Sequence, residues 1–318
     1  MKAIIALCLI CLVLPAIAGP ARSVWLAPND PTHGGAEDFW DMFKADAPWE
    51  NAKSHVTVLE ISQNLVTNGP PDKLRSLFAY LKQNHIDLAI GIGMLTWSEQ
   101  CGKHVEGYVP PGGSDYVAKR IHDLGGELAY IDADEAVQFG RYYNGANACH
   151  ASLDAIAGDL AQNFAAYKKV FPKVQLGETE IFSPHADRPH DDSFLHYTQN
   201  WLDILRAKTG VPLAFYHQDV IWSAAPALRV EDYVPKLSAL MHDKHIAFGV
   251  ILIASNGAGP DDKWIASAES NIDAIKQLPM APMEHLMFSS WYKPPAHNLP
   301  EMSPEALTFL IDYYFSHP

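Results

Sequence analysis

Three carboxylates, Asp132, Asp134 and Glu135, follow a run of core-forming residues in the segment ELAYIDADE, residues 127–135. A carboxylate beside a core must be paired, hydrogen-bonded or protonated, because burying it alone is very costly. The arrangement recurs along the chain. Glu60 closes one apolar run, Glu178 and Glu180 another, and His217 and Asp219 a third. Converging carboxyls raise one another's proton affinity, so one can hold a proton while another stays ionised. Such a set can protonate a leaving oxygen with one member and attack, or activate water, with a second.

The elements that must position these groups read as alternating strands and helices. Candidate strands span 24–27, 55–61, 87–95, 127–134, 173–182, 212–222, 247–256 and 285–291, with amphipathic helical stretches between them. The last stretch, SPEALTFLIDYYF, opens with a Ser cap, Pro in the first turn and Glu next, which predicts a helix entry there. Strand–helix alternation implies a parallel sheet with crossover helices. Eight units in about 300 residues predict a single (β/α)8 barrel over residues 19–318. A doubly wound open sheet is the alternative, but neither G-x-G-x-x-G nor G-x-x-x-x-G-K-[ST] occurs.

In a barrel the active site lies at the C-terminal ends of the strands, which is where the carboxylates accumulate. Side chains alternate along a strand, so Asp132 and Asp134 share a face, as do Glu178 and Glu180, and Phe215, His217 and Asp219. With those phases inward, Asp134, Glu180 and Asp219 ring one pocket and Glu135 opens the following loop toward it. These four are the candidate acid, base or nucleophile. Asp132 and His217 are expected to orient them or tune their pKa, with Glu60 contributing from the second strand. Trp25, Trp97, Trp222 and Trp291 fall at or just past strand ends, with Tyr292 beside the last. Their planes suit the C–H faces of sugar rings.

The remaining features bound the function. Lys2, the apolar run 3–15 and Ala16-Ile17-Ala18 read as a cleaved secretory signal over residues 1–18, which predicts a secreted or periplasmic protein. Cys101 and Cys149 then remain, and in an exported chain they predict a disulfide. A formal net charge of −14 argues against nucleic acid as a partner and fits a neutral or cationic ligand. No membrane association is expected once the signal is removed, and the mature chain is expected to be a monomer. No metal and no cofactor is expected. His185, Asp187, His190, Asp191 and Asp192 crowd one loop, but their spacing matches no standard ligand pattern. There is no G-x-S-x-G elbow for a serine nucleophile.

By these residues the chain resembles the TIM-barrel glycoside hydrolases. YIDADE is similar to the strand-four acidic motifs of chitinase-like and lysozyme-like barrels, and its DE to the Asn-Glu pair of the large retaining superfamily. The resemblance implies Glu135 as acid/base and Trp291 as the sugar platform at the end of strand eight. The pattern departs at strand seven, where VILIASNGAG has no acid in the nucleophile's place. Asp134 and Asp219 instead match the α-galactosidase layout, one Asp on strand four and one on strand six. The expectation is therefore a hydrolase of an oligo- or polysaccharide, with the division of roles among the carboxyls open. The alternatives are a non-catalytic carbohydrate-binding barrel, and a metal-dependent hydrolase or lyase using His217, Asp219 and Glu180.

Overall fold

The structure, a computed structural model, describes residues 22–33, 35–181, 193–224, 229–257 and 259–317. The expected leader lies outside the described residues, as does the loop carrying His185, Asp187, His190, Asp191 and Asp192. Among the described residues no helix is long and apolar enough to cross a membrane.

The strands in chain order are β1 (Ser23–Ala27), β2 (Val58–Ser62), β3 (Asp87–Ile92), β4 (Leu95–Thr96), β5 (Tyr108–Val109), β6 (Leu128–Asp134), β7 (Gln175–Ile181), β8 (Phe215–Asp219), β9 (Ala247–Leu252) and β10 (His285–Ser289). Eight of them close a ring in the order β1-β10-β9-β8-β7-β6-β3-β2, every neighbouring pair parallel. This is the (β/α)8 barrel that the alternation predicts. The helices are α1 (Glu50–His55), α2 (Gln63–Asn68), α3 (Pro71–Gln83), α4 (Gly113–Asp123), α5 (Leu153–Val170), α6 (Ser193–Thr209), α7 (Val230–Asp243), α8 (Asp261–Lys276) and α9 (Phe309–Ser316). Local chemistry sets several boundaries. Ser152 caps α5 by accepting the Ala155 N–H, Ser62 caps α2 by accepting that of Leu65, and Pro71 sits at the first turn of α3.

Most of the expected strands are a few residues shorter, and three further boundaries differ from the sequence reading. The 87–95 run splits: β3 ends at Ile92, and Leu95–Thr96 pairs with Tyr108–Val109 as a small separate ladder. His55 belongs to α1 rather than to the strand that follows. The C-terminal helix begins at Phe309, not Ser303, because the Leu307 and Thr308 N–H groups donate to the carbonyls of His297 and Asn298.

Inside the barrel the fully buried Trp25 indole packs against Tyr130, Phe215, His217 and His285, with ring centroids 4.7–5.1 Å apart. Trp25 therefore fills the barrel beneath the mouth, and the expectation that it faces a ligand is corrected. Its large plane is needed where four strands must share one plug. The same layer explains Gly177 on β7: a Cβ there would stand 2.2 Å from the Phe215 ring.

Cys101 and Cys149 form a disulfide across 48 positions, joining the loop after β4 to the one that precedes α5. The Gly102 N–H donates to the Asn147 carbonyl at 2.7 Å, and the Asn147 side-chain amide donates to the Lys103 carbonyl at 2.7 Å. The two rim loops thus form one tied unit.

Gly177→Ala drives a methyl into the Phe215 ring and should cost about 1–3 kcal/mol, read as a lower urea midpoint. The Cys101→Ser/Cys149→Ser double variant should lose up to about 4 kcal/mol on the chain-entropy argument. Equilibrium unfolding of both forms without reductant measures it, and equal stability would contradict a formed disulfide.

Candidate active site

The C-terminal mouth of the barrel opens into a cavity of about 1040 Å³, at the upper end of the size of small-molecule sites. Its wall carries the carboxyls of Asp30, Glu60, Glu106, Asp132, Asp134, Glu135 and Asp219 and, among the described residues, no Lys, Arg or His. Carboxyls crowded without a cation hold protons that isolated carboxyls would release.

Asp134 and Glu135 are neighbours in sequence, so plain alternation would send them to opposite faces of β6. Both line the cavity because Glu135 takes φ 44°, in the left-handed region. That conformation is costly for a side chain with a Cβ and persists only where surrounding contacts fix it. Here the Glu135 N–H donates to the Thr179 carbonyl at 2.9 Å, and its own carbonyl accepts from Phe139 as the chain enters a short π-helical turn, Gln138–Tyr142. The Asp134 carboxyl is pushed up to about 8 by burial first, then by the charges of Glu106, Asp132, Asp219 and Glu180. Glu135 is raised well above the usual range by burial and by Asp134, Asp219 and Glu180. At the end of β8, Asp219 is raised to about 7 by burial and by Glu106, against a lowering hydrogen bond from the Val220 backbone.

Glu60 enters from β2, where Gly91 on the adjacent strand leaves its carboxyl room: a Cβ at Gly91 would lie 2.8 Å from Glu60 Oε1. Burial and the nearby carboxyls of Asp132 and Asp134 raise Glu60 well above its ordinary value. Asp132 anchors a chain of contacts leading down into the barrel. Its Oδ2 accepts from Thr179 Oγ1 at 2.8 Å and lies 3.1 Å from His217 Nδ1, while His217 Nε2 lies 3.0 Å from His285 Nδ1. Burial and the neighbouring His217 lower the His285 pKa to about 2, so that ring is neutral. With Asp132 as acceptor, His217 Nδ1 carries a proton and donates upward toward the mouth. His217 thus orients Asp132 from beneath and does not itself reach the cavity.

Glu180 is placed differently from the sequence expectation. On β7 the inward phase belongs to Gly177, Thr179 and Ile181, the last two lining the cavity. Glu178 and Glu180 take the opposite phase. The Glu178 carboxylate accepts from Trp201 Nε1 on α6 at 2.8 and 3.0 Å, and Glu180 Oε1 accepts from the Val137 N–H at 2.6 Å. The physical reason is Phe215, whose ring leaves no room for an inward side chain at position 177. Glu180 stands behind the Asp134–Glu135 turn and bears on it through its charge and its grip on the Val137 backbone.

Trp97, Trp222, Trp291 and Tyr292 all line the cavity. The Trp222 Nε1 is buried with no hydrogen-bond partner among the described residues. Glu106, Tyr108 and Tyr116 also line it and were not anticipated. Glu106 is exposed near the end of the loop between β4 and β5, where no periodicity marks it. The one signal was the pair of cysteines, which folds that loop over the mouth. Asp30 is spoken for structurally, accepting from the Thr32 N–H and the Ser62 hydroxyl at 2.7 Å each. Among the described residues no three His, Cys, Asp or Glu side chains are grouped to hold a metal ion.

Fold and site together define a TIM barrel with an acidic, aromatic-walled cleft at its catalytic face. No family model and no curated protein matches the chain. Solved structures that share the fold include the carboxyl transferase domain of Rhizobium etli pyruvate carboxylase with 3-bromopyruvate, at TM-score 0.54 and 10% identity, covering 93% of this chain and 47% of that one. They also include GH5_18 from Streptomyces cattleya in complex with GlcNAc, at TM-score 0.49 and 12% identity over 94% of this chain and 82% of that one. Xylanase10C from Cellvibrio japonicus in complex with xylopentaose gives TM-score 0.49 and 12% identity over 94% and 62%. The barrel itself stands on the closed parallel ring, and the likeness to the carboxyl transferase domain agrees with it. One fold can serve unrelated chemistries, so function rests on the residues of the site.

The raised carboxyls make stability fall with pH. Between about pH 4 and 8 the folded state binds more protons at Asp134 and Asp219 than the unfolded chain, so the slope of unfolding free energy against pH is negative. The stability these groups contribute is complete below about pH 4 and is lost as pH rises through 7 and 8. Asp219→Asn, neutral at every pH, should flatten this slope and exceed the parent at pH 8 by about 1–3 kcal/mol. Urea midpoints at pH 5 and 8 for both proteins check it.

Proposed function

We propose that the protein is an exported glycoside hydrolase that cleaves an oligo- or polysaccharide by carboxyl acid–base chemistry. One observation carries the reading: Asp134, Glu135 and Asp219, all with raised proton affinity, converge in a cavity walled by Trp97, Trp222 and Trp291. Glycosidic cleavage needs a carboxylic acid that is still protonated near neutral pH and a second carboxylate within the same site. Asp134 and Asp219, at about 8 and about 7, supply protons in that range. Glu135, on its strained turn, is aimed into the same space, and the exposed Glu106 supplies charge that holds the protons of the others. Glu60 and Asp132 form the polar floor, with His217 as the group that positions Asp132. The aromatic walls provide the planes on which sugar rings lie. Export is supported by the leader pattern of residues 1–18 and by the disulfide, which an oxidising compartment maintains.

The test is a panel of polysaccharides scored by new reducing ends. Asp134→Asn, Glu135→Gln and Asp219→Asn keep side-chain shape, and loss of the proton donor or its partner should lower kcat by about 10²–10⁴-fold. Glu180→Gln keeps an acceptor for the Val137 N–H and should retain most of the activity. Glu127→Gln, at the opposite face beside Lys82, should match the parent. The rate should decline above about pH 8 as Asp134 and Asp219 lose their protons. Activity that disappears with EDTA and returns with zinc would replace this reading with the metal-dependent one. Tight glycan binding without turnover would replace it with the binding barrel.

A further inference from the structure

Two banks of aromatic side chains face each other across the carboxyl cluster, and their placement follows from the ring order of the barrel. One bank, Trp97, Tyr108 and Tyr116, comes from the loop after β3 and the start of α4. The other, Trp291 and Tyr292, follows β10. In the closed ring β3 and β10 are separated by β2 and β1 on one side and by β6, β7, β8 and β9 on the other. Asp134 and Glu135 at the end of β6, Asp219 at the end of β8 and Glu60 on β2 therefore fall between the banks.

The outermost member of each bank stays open to solvent, Tyr116 at 51% and Trp291 at 41% of full exposure. Two large aromatic rings left in water at opposite ends of one cavity are surface that a ligand would cover. Exposed rings at both ends offer stacking planes along which a chain can run past the cluster in either direction. A blind pocket, suited to removing one terminal sugar, would instead close one side.

The electrostatics narrow the ligand further. With seven carboxyls, some of them holding protons, and no basic side chain among the described lining residues, whatever charge the cavity wall carries is negative. Like charges brought together in such a cleft cost several kcal/mol, and the same field concentrates neutral or cationic ligands relative to anionic ones.

From the two facing banks and the cation-free wall we infer that the substrate is a polysaccharide without anionic groups, bound across the carboxyl cluster from Tyr116 to Trp291 and cut at an internal linkage. This rests on the hydrolase reading above and specifies its substrate class and mode of attack. In the step itself, water adds to the anomeric carbon and the glycosidic C–O bond breaks. The leaving oxygen takes the carboxyl proton, and the proton from water restores the site, so no oxidant or metal is consumed.

The experiment uses borohydride-reduced polymers, whose capped ends report only new chain breaks. Laminarin, xylan, mannan, soluble starch and chitosan represent the non-anionic class, and polygalacturonate and alginate the anionic one. The expected result is a ladder of oligosaccharides, seen by mass spectrometry, from at least one non-anionic polymer and none from either anionic polymer. On the cleaved polymer, Tyr116→Ala and Trp291→Ala should each raise KM by about 3- to 10-fold and shift the ladder, because each removes one stacking plane. Both sites are exposed, so circular dichroism should be unchanged. Release of monosaccharide alone would overturn internal attack while leaving the hydrolase reading in place. So would turnover of nitrophenyl glycosides without any polymer. Cleavage of polygalacturonate or alginate would overturn the charge argument. No turnover of any glycan would remove this inference together with the proposed function.

Discussion

Mutual repulsion among carboxyls in one unbalanced cavity is the constraint on which the site depends. Asp134, Glu135, Asp219 and Glu60 are brought together by strands whose backbone hydrogen bonds are fully committed to a closed ring. Burial raises each of these acids first, and because the ring cannot open, repulsion from the neighbouring carboxyls adds to it, so they are raised together rather than singly. A basic side chain on the wall would have lowered them and removed their ability to donate protons near neutral pH.

The apolar layer beneath makes that effect large. Trp25 and Phe215 fill the barrel below Asp132 and exclude water from one side of the cluster. His217 and the neutral His285 thread through this layer as a hydrogen-bonded pair linked to Asp132, so the floor is held from beneath. The interior plug and the acidic mouth are consecutive layers of the same strands, and a change to the packing of one is felt as a change of proton affinity in the other.

How much of this was legible in the sequence depends on what kind of information each feature carries. Strand count, ring closure and the end of the barrel bearing the acids were readable, because buried parallel strands are apolar runs and the carboxyls gather at their C-terminal ends. The inward phase of β6 and β8 was also readable, since each pairs aromatic or apolar positions with its acids in step. The phase of β7 was not. QLGETEI offers polar groups on both faces, and only the Phe215 ring, an interaction from the next strand, decides that Gly177 must be inside. Glu135 reaches the cavity through a backbone exception that no alternation rule contains. Glu106 sits in a loop without periodicity, and Trp25 was placed at the mouth by its position near a strand end when the barrel needed its bulk below.

The tied rim loop has a consequence for how such a protein can vary. The segment between β4 and β5 carries Trp97 at one edge and Glu106 near the other, and is closed on itself by the small β4–β5 ladder. Its outer attachment is to the loop holding Cys149 and Asn147, through one covalent bond and two hydrogen bonds. It is in effect a cassette clipped onto the mouth. Its length and side chains can change, altering one wall of the cleft and the charge imposed on Asp134 and Asp219, while the eight-stranded ladder that carries those residues keeps every one of its own hydrogen bonds.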